Sequence, residues 1–191
     1  MNRVRCFVAA ELSAEAREDL AGLQARLRDH LRGQEAPCRW VAPQALHLTL
    51  KFLGEVEPDT FAALERALVR PLGVAGPLRL EAAGVGAFPS VRRARVVWAG
   101  LEGDVALLAQ AALAVEARAE PWGIPREGRF FRPHLTLGRA RAPSGIPGAE
   151  GALAQEAGYR GPPFAVEALV LFESLLGPGG PRYVPRATIP L

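Results

Sequence analysis

The stretch Leu46-His47-Leu48-Thr49-Leu50 returns later in the chain as Pro133-His134-Leu135-Thr136-Leu137. Both copies carry the order histidine, apolar, threonine, apolar. On a β-strand, residues i and i+2 point to the same face. His47 and Thr49 then share one face, with Leu48 and Leu50 behind them. His134 and Thr136 repeat the arrangement, with Leu135 and Leu137 behind. On a helix an i, i+2 pair splays apart, so the motif is coherent only on strands. The residues from Ala45 to Gly54 alternate apolar and polar. Arg132-Pro133 disfavours a helical entry into the second copy.

Only three histidines occur among the 191 residues, and two belong to this repeat. The third, His30, falls near the end of a helix and reads as a surface residue. Elements recur around the two motifs. A strand from Arg3 to Leu12 precedes a helix capped by Ser13 and closed by Gly33, with Leu20, Leu23, Leu27 and Leu31 at helical spacing. After the first motif comes a helix from about Asp59 to Arg70. Strands follow at Leu78 to Ala83 and Ala94 to Ala99, joined by a Gly/Pro/Arg-rich link. A third helix covers Asp104 to Ala119, and a loop from Pro121 to Phe131 enters the second motif. A short helix follows Pro143 to Gly148. The last strands run from Phe164 to Ser174 and from Arg182 to Pro190, with Gly177-Pro178-Gly179-Gly180 as their turn. The pattern lacks a strict βαβ rhythm and predicts an α+β fold. The expected arrangement is one bilobal, pseudo-symmetric duplicated unit over residues 1–191, with two mainly antiparallel sheets facing a central cleft and helices outside.

Composition narrows the function classes. The formal net charge is +3, compatible with a phosphate-bearing partner. Two cysteines, Cys6 and Cys38, are too few for a disulfide framework. There is no Cys-x-x-Cys and no histidine pair at helical spacing, so no structural zinc site is expected. No signal peptide and no membrane-length apolar run are read, which makes a soluble cytoplasmic protein, read as a monomer, the expectation. Two imidazoles facing one pocket suit concerted proton transfer: one takes a proton from water while the other donates to a leaving oxygen. Two threonine hydroxyls suit an oxyanion between them. A phosphate diester fits this set, and neither a metal nor a cofactor is called for.

The chain resembles the two-histidine phosphoesterase superfamily, and within it the RNA 2′,3′-cyclic phosphodiesterases, also called 2′-5′ RNA ligases. The resemblance rests on Phe7-Val8-Ala9-Ala10-Glu11-Leu12, Arg39-Trp40-Val41, His47 through Gly54, Gly86-Ala87-Phe88-Pro89, Phe131 through Arg139, Phe172-Glu173-Ser174 and Gly177-Pro178. It implies His47 as general acid, His134 as general base, and Thr49 and Thr136 on the phosphate. It implies metal-free opening of a terminal cyclic phosphate to a 2′-phosphate, on RNA ends or small cyclic nucleotides. Joining of RNA ends without ATP is the same ring opening with an RNA hydroxyl in place of water. A non-catalytic RNA-binding module is the alternative of another class. The resemblance also puts Arg139 on phosphate, although strict alternation turns it away from His134 unless the strand ends or bulges near Gly138. Phe7 stacks on a base in this reading, or packs in the core. Lys51 shares the face of His47 and Thr49 by period two, where a cation helps hold a polyanion. Arg92, Arg93 and Arg95, and separately Arg126, Arg129 and Arg132, form basic loop clusters that track an RNA backbone or serve as solvated surface.

Overall fold

The computed structural model describes residues 3–33, 38–128, 130–177 and 180–191. It opens with strand β1 (Val4–Glu11) and helix α1 (Ala14–His30). Ser13 caps α1 by accepting a bond from the Ala16 amide at 3.1 Å, as the sequence reading expects. Next come β2 (Cys38–Trp40), a 3₁₀ turn at Pro43–Ala45, β3 (His47–Val56) and α2 (Pro58–Leu68). Strands β4 (Leu78–Phe88) and β5 (Val96–Gly103), helix α3 (Val105–Ala119) and strand β6 (Leu135–Ala140) form the centre of the second half. The chain ends with α4 (Ala149–Gln155), β7 (Arg160–Val166), β8 (Ala168–Gly177) and β9 (Gly180–Pro190).

The strand order is β7-β4-β5-β6-β3-β1-β8-β9, with β2 added on β6, and the recorded pairings are antiparallel. The two motif strands lie side by side at the middle. Their described pairing is Leu48 opposite Leu135. Through it the two expected sheets join as halves of one sheet, β3-β1-β8-β9 on one side and β6-β5-β4-β7 on the other. The duplication is visible in the connections. A strand, a helix and a motif strand occur as β1-α1-β3 and again as β5-α3-β6. The halves also exchange chain: β4 crosses from the first half to pair with β5, and β8 returns to pair with β1.

Burial divides the sheet into two faces. Cys6, Val8, Ala10, Leu48, Leu135 and Leu137 belong to the large core that also takes Leu20, Leu23 and Leu27 from α1 and Leu108 and Val115 from α3. The opposite face of β1 puts Phe7 and Ala9 in a smaller cluster with Val170 and Phe172.

Two sequence expectations are corrected here. The run from Phe164 to Ser174 is not one strand. It breaks at Glu167 into β7 and β8, which lie in opposite halves. The earlier part of β7 is disguised by Pro162-Pro163. As an edge strand, β7 tolerates residues that cannot donate to a ladder. The Gly-rich link after Ala83 is also strand: β4 continues to Phe88 through a bulge at Gly84, where φ is +67°. At Gly86 a side chain has no room, because an added Cβ lies 2.3 Å from the Trp98 ring. The Pro178-Gly179 part of the expected final turn lies outside the described residues.

Candidate active site

Each motif strand carries a bulge at the same place, the leucine after the threonine. Against β1, Ala9 pairs with Thr49 but Val8 pairs with Lys51, so Leu50 is the extra residue. Against β5, Trp98 pairs with Thr136 but Val97 pairs with Gly138, so Leu137 is extra. One inserted residue reverses the alternation beyond it. Arg139 therefore returns to the face of His134 and Thr136, and it lines the cleft. Lys51 turns the other way. It is 3% exposed, while Phe52 is 56% exposed and lines the cleft beside Thr49. The expectation that Lys51 accompanies His47 and Thr49 is thus wrong: period two fails at Leu50, and Phe52 takes the position on the first strand that Arg139 takes on the second.

The bulge at Leu137 is held from behind. Gln24, buried on α1, donates from Nε2 to the carbonyls of Val41 and Leu137 at 2.8 Å each. The Val41 amide also donates to the Leu137 carbonyl at 2.9 Å. Replacing Gln24 by leucine removes the donor and keeps the volume. Leaving a buried carbonyl short of its bond costs about 1–3 kcal/mol, so Gln24→Leu is expected to lower the denaturant midpoint accordingly. An unchanged midpoint contradicts this role.

The pairing of Leu48 with Leu135 sets the register of the two motifs. One step outward in an antiparallel pair puts Thr49 across from His134 and His47 across from Thr136. That register aligns each histidine with the threonine of the other half, while the paired residues themselves are Leu48 and Leu135. Both rings are held alike. Nδ1 of His47 donates to its own segment's Ala45 carbonyl at 2.7 Å, and Nδ1 of His134 donates to the Arg132 carbonyl at 2.8 Å. A carbonyl only accepts, so both neutral rings carry their proton on Nδ1 and leave Nε2 for chemistry.

Aromatic rings pack against both imidazoles. Phe7 and Tyr183 lie 4.9 and 5.1 Å from His47, centroid to centroid. Phe88 and Trp98 lie 5.0 and 6.4 Å from His134. Phe7 also stacks on Phe172 at 5.4 Å and is itself buried. Burial pushes both imidazoles below the ordinary histidine value. The carbonyl bonds oppose that fall, and the Arg139 charge adds to it at both rings.

A cavity of about 750 Å³ collects His47, Thr49, Thr136, Arg139, Phe7, Phe52 and Tyr183. His134 is not part of its wall; it directly precedes Leu135, the residue paired with Leu48. A second cavity of about 570 Å³ lies beside α2 and Trp122 and contains none of the motif residues. His30 stands elsewhere, its Nε2 3.1 Å from Glu156. Both cysteines are free and buried, and burial, aided by the Glu173 charge, pushes the Cys6 thiol up to about 12. In the loop clusters Arg92 meets Glu150, Arg95 the Pro143 carbonyl and Arg126 Glu120, as surface contacts. Arg129 lies outside the described residues. Sequence reasoning missed Phe52 and Tyr183, and it quoted Phe88 without placing it at His134.

Among the described residues no helix is long and apolar enough to cross a membrane. The LigT like Phosphoesterase family model matches residues 11–98 and 102–183. An RNA 2′,3′-cyclic phosphodiesterase of Escherichia coli is 33% identical over 189 residues, covering 95% of this chain and 93% of that protein. A solved structure of a Thermus thermophilus protein superposes with a TM-score of 0.75 at 31% identity, covering 98% of this chain and 97% of the other. Escherichia coli LigT complexed with 3′-AMP superposes with a TM-score of 0.71 at 29% identity, covering 100% and 99%. With the first motif on β3, the second leading into β6 beside it, and the match running through both, the chain belongs to the LigT like Phosphoesterase family.

Proposed function

We propose that this protein hydrolyses RNA 2′,3′-cyclic phosphate ends to 2′-phosphates by proton transfer between His47 and His134. The observation that carries the reading is the matched pair of imidazoles, each with Nδ1 bonded to a backbone carbonyl. His134, neutral, takes a proton from water at Nε2 as the water oxygen attacks phosphorus. His47, protonated, gives the Nε2 proton to O3′ as the P–O3′ bond breaks. The products are a 3′-hydroxyl and a 2′-phosphate, and the two rings have exchanged protonation states. Thr49 and Thr136 donate to the non-bridging oxygens, and Arg139 offsets their charge. The name of the Escherichia coli relative and the 3′-AMP in the LigT complex support a nucleotide-bearing substrate.

The proton acceptor and donor are both side chains, so this chemistry requires no metal-bound water. Turnover of a cyclic-phosphate RNA is expected to persist in EDTA. Loss on chelation with recovery on Mg²⁺ or Mn²⁺ contradicts the assigned roles. Adding an RNA with a 5′-hydroxyl to the same reaction reads the joining direction as a longer product.

The pH dependence has a definite sign. One ring must be neutral and the other charged, so activity passes through a maximum. In the free protein both rings are shifted down, chiefly by burial. A bound phosphate anion favours the imidazolium and raises both values. The kcat profile is therefore displaced to higher pH than the kcat/KM profile, each limb belonging to the coupled pair. A displacement to lower pH contradicts a phosphate seated between the rings.

A further inference from the structure

The two histidines reach the site by unlike routes. His47 follows a 3₁₀ turn closed by bonds from the Ala45 amide to the Ala42 carbonyl and from the Leu46 amide to the Pro43 carbonyl. His134 follows a long segment: from Gly123 to His134 the described residues carry neither helix nor strand. Such a segment needs an anchor to deliver a ring to a fixed place. Ile124 buries one end. The polar anchor is Lys51, the only lysine in the chain.

Lys51 Nζ donates to Glu116 Oε1 on α3 at 2.8 Å, to the Pro125 carbonyl at 2.8 Å and to Glu127 Oε1 at 3.3 Å. The Glu127 amide donates to the same Glu116 oxygen at 2.7 Å. One ion pair thus grips the backbone of the segment at two residues. Both charges are buried, Lys51 at 3% and Glu116 at 9% exposure. Burial pushes the Glu116 carboxyl up, but the bonds from Lys51 and the Glu127 amide, with the Lys51 and Arg126 charges, hold it below the ordinary value. The strand that begins with His47 therefore carries, just past its bulge, the anchor for the segment ending in His134.

We propose that Lys51 and Glu116 are positioning residues for His134, fixing the 124–127 segment so that its ring meets the Thr49 end of the first motif. This rests on reading His134 as a proton-transfer group. A purely stabilising role makes a different forecast, because an apolar pair of similar volume often replaces a buried ion pair with no loss of stability.

The test is Lys51→Met combined with Glu116→Leu, which avoids leaving either charge buried alone. The melting temperature is expected to stay near that of the unchanged protein. Turnover is expected to fall by about 10²-fold, the order for a displacement near 1 Å of a reacting group, with a smaller change in KM. Because the chain has three histidines, their ring signals can be followed separately by NMR. The His134 signal is expected to shift and broaden while those of His47 and His30 hold. Glu116→Gln keeps the shape and one acceptor oxygen; it should move the same signal in the same direction by less, and it decides the matter if the double variant fails to fold. An unmoved His134 signal overturns the proposal whatever the turnover, as do equal shifts of the His47 and His134 signals. The ring signals report position without turnover, so an unaltered protein that lacks turnover, with the His134 signal still moving in the variant, contradicts only the catalytic reading.

Discussion

His47→Ala and His134→Ala are each expected to lower kcat by about 10²–10⁴-fold, the usual contribution of a general acid or base. The two losses arise from different protons, so neither ring can serve for the other. Both have the same tautomer and the same kind of carbonyl support. In the proposed reaction the roles differ by the partner atom, water for one and O3′ for the other. The double variant should be far less impaired than the product of the single losses, because groups acting in one step are not additive. On the proposed reading, the site without histidines is expected still to bind phosphate through Thr49, Thr136 and Arg139. Single-turnover rates on a cyclic-phosphate RNA measure this directly. Full activity in either single variant contradicts paired catalysis.

Arg139→Ala carries the second large effect. Its guanidinium lines the cleft and acts on both imidazoles and on Tyr183. A preorganised cation aimed at charge developing on phosphate has its main effect in the transition state. Removing one such donor costs about 10²–10³ in kcat. Arg139→Lys should recover only part of it, since a lysine lacks the planar fork that holds two oxygens at once. The variant also tests the electrostatics. With the positive charge gone, both imidazoles are expected to titrate at higher pH in the free protein, because Arg139 now opposes their protonation. Histidine titrations by NMR read this without substrate, and a downward shift contradicts it.

The two motif strands were legible because their periodicity is local. The faces of His47, Thr49, His134 and Thr136 follow from alternation over three residues, and a short stretch leaves little room for a bulge to intervene. Two residues further on, alternation failed in both copies. Nothing in Thr49-Leu50-Lys51 announces an extra residue, and a lysine two places after a threonine reads naturally as a neighbour on the same face. Glycine at 138 offers a hint on the second strand, where an added Cβ lies 2.4 Å from the Cys38 sulfur. That contact comes from β2 and is invisible along the chain. The same holds for the aromatic surroundings. Tyr183 reaches His47 from the last strand, and Phe88 and Trp98 reach His134 from β4 and β5, through pairings that depend on the whole topology. Gln24 is a buried polar residue beside Leu20, Leu23 and Leu27 on α1, and nothing along the chain singles it out. Its role appears only when the freed carbonyl of Leu137 lies beneath it.

The most direct test of paired-histidine ring opening uses an RNA ending in a 2′,3′-cyclic phosphate, incubated with the protein and with the His47→Ala/His134→Ala variant. The position of the phosphate in the product is then identified. A 2′-phosphate with a free 3′-hydroxyl is expected from the unaltered protein, formed far more slowly by the variant. A 3′-phosphate, or equal rates from the two proteins, contradicts it.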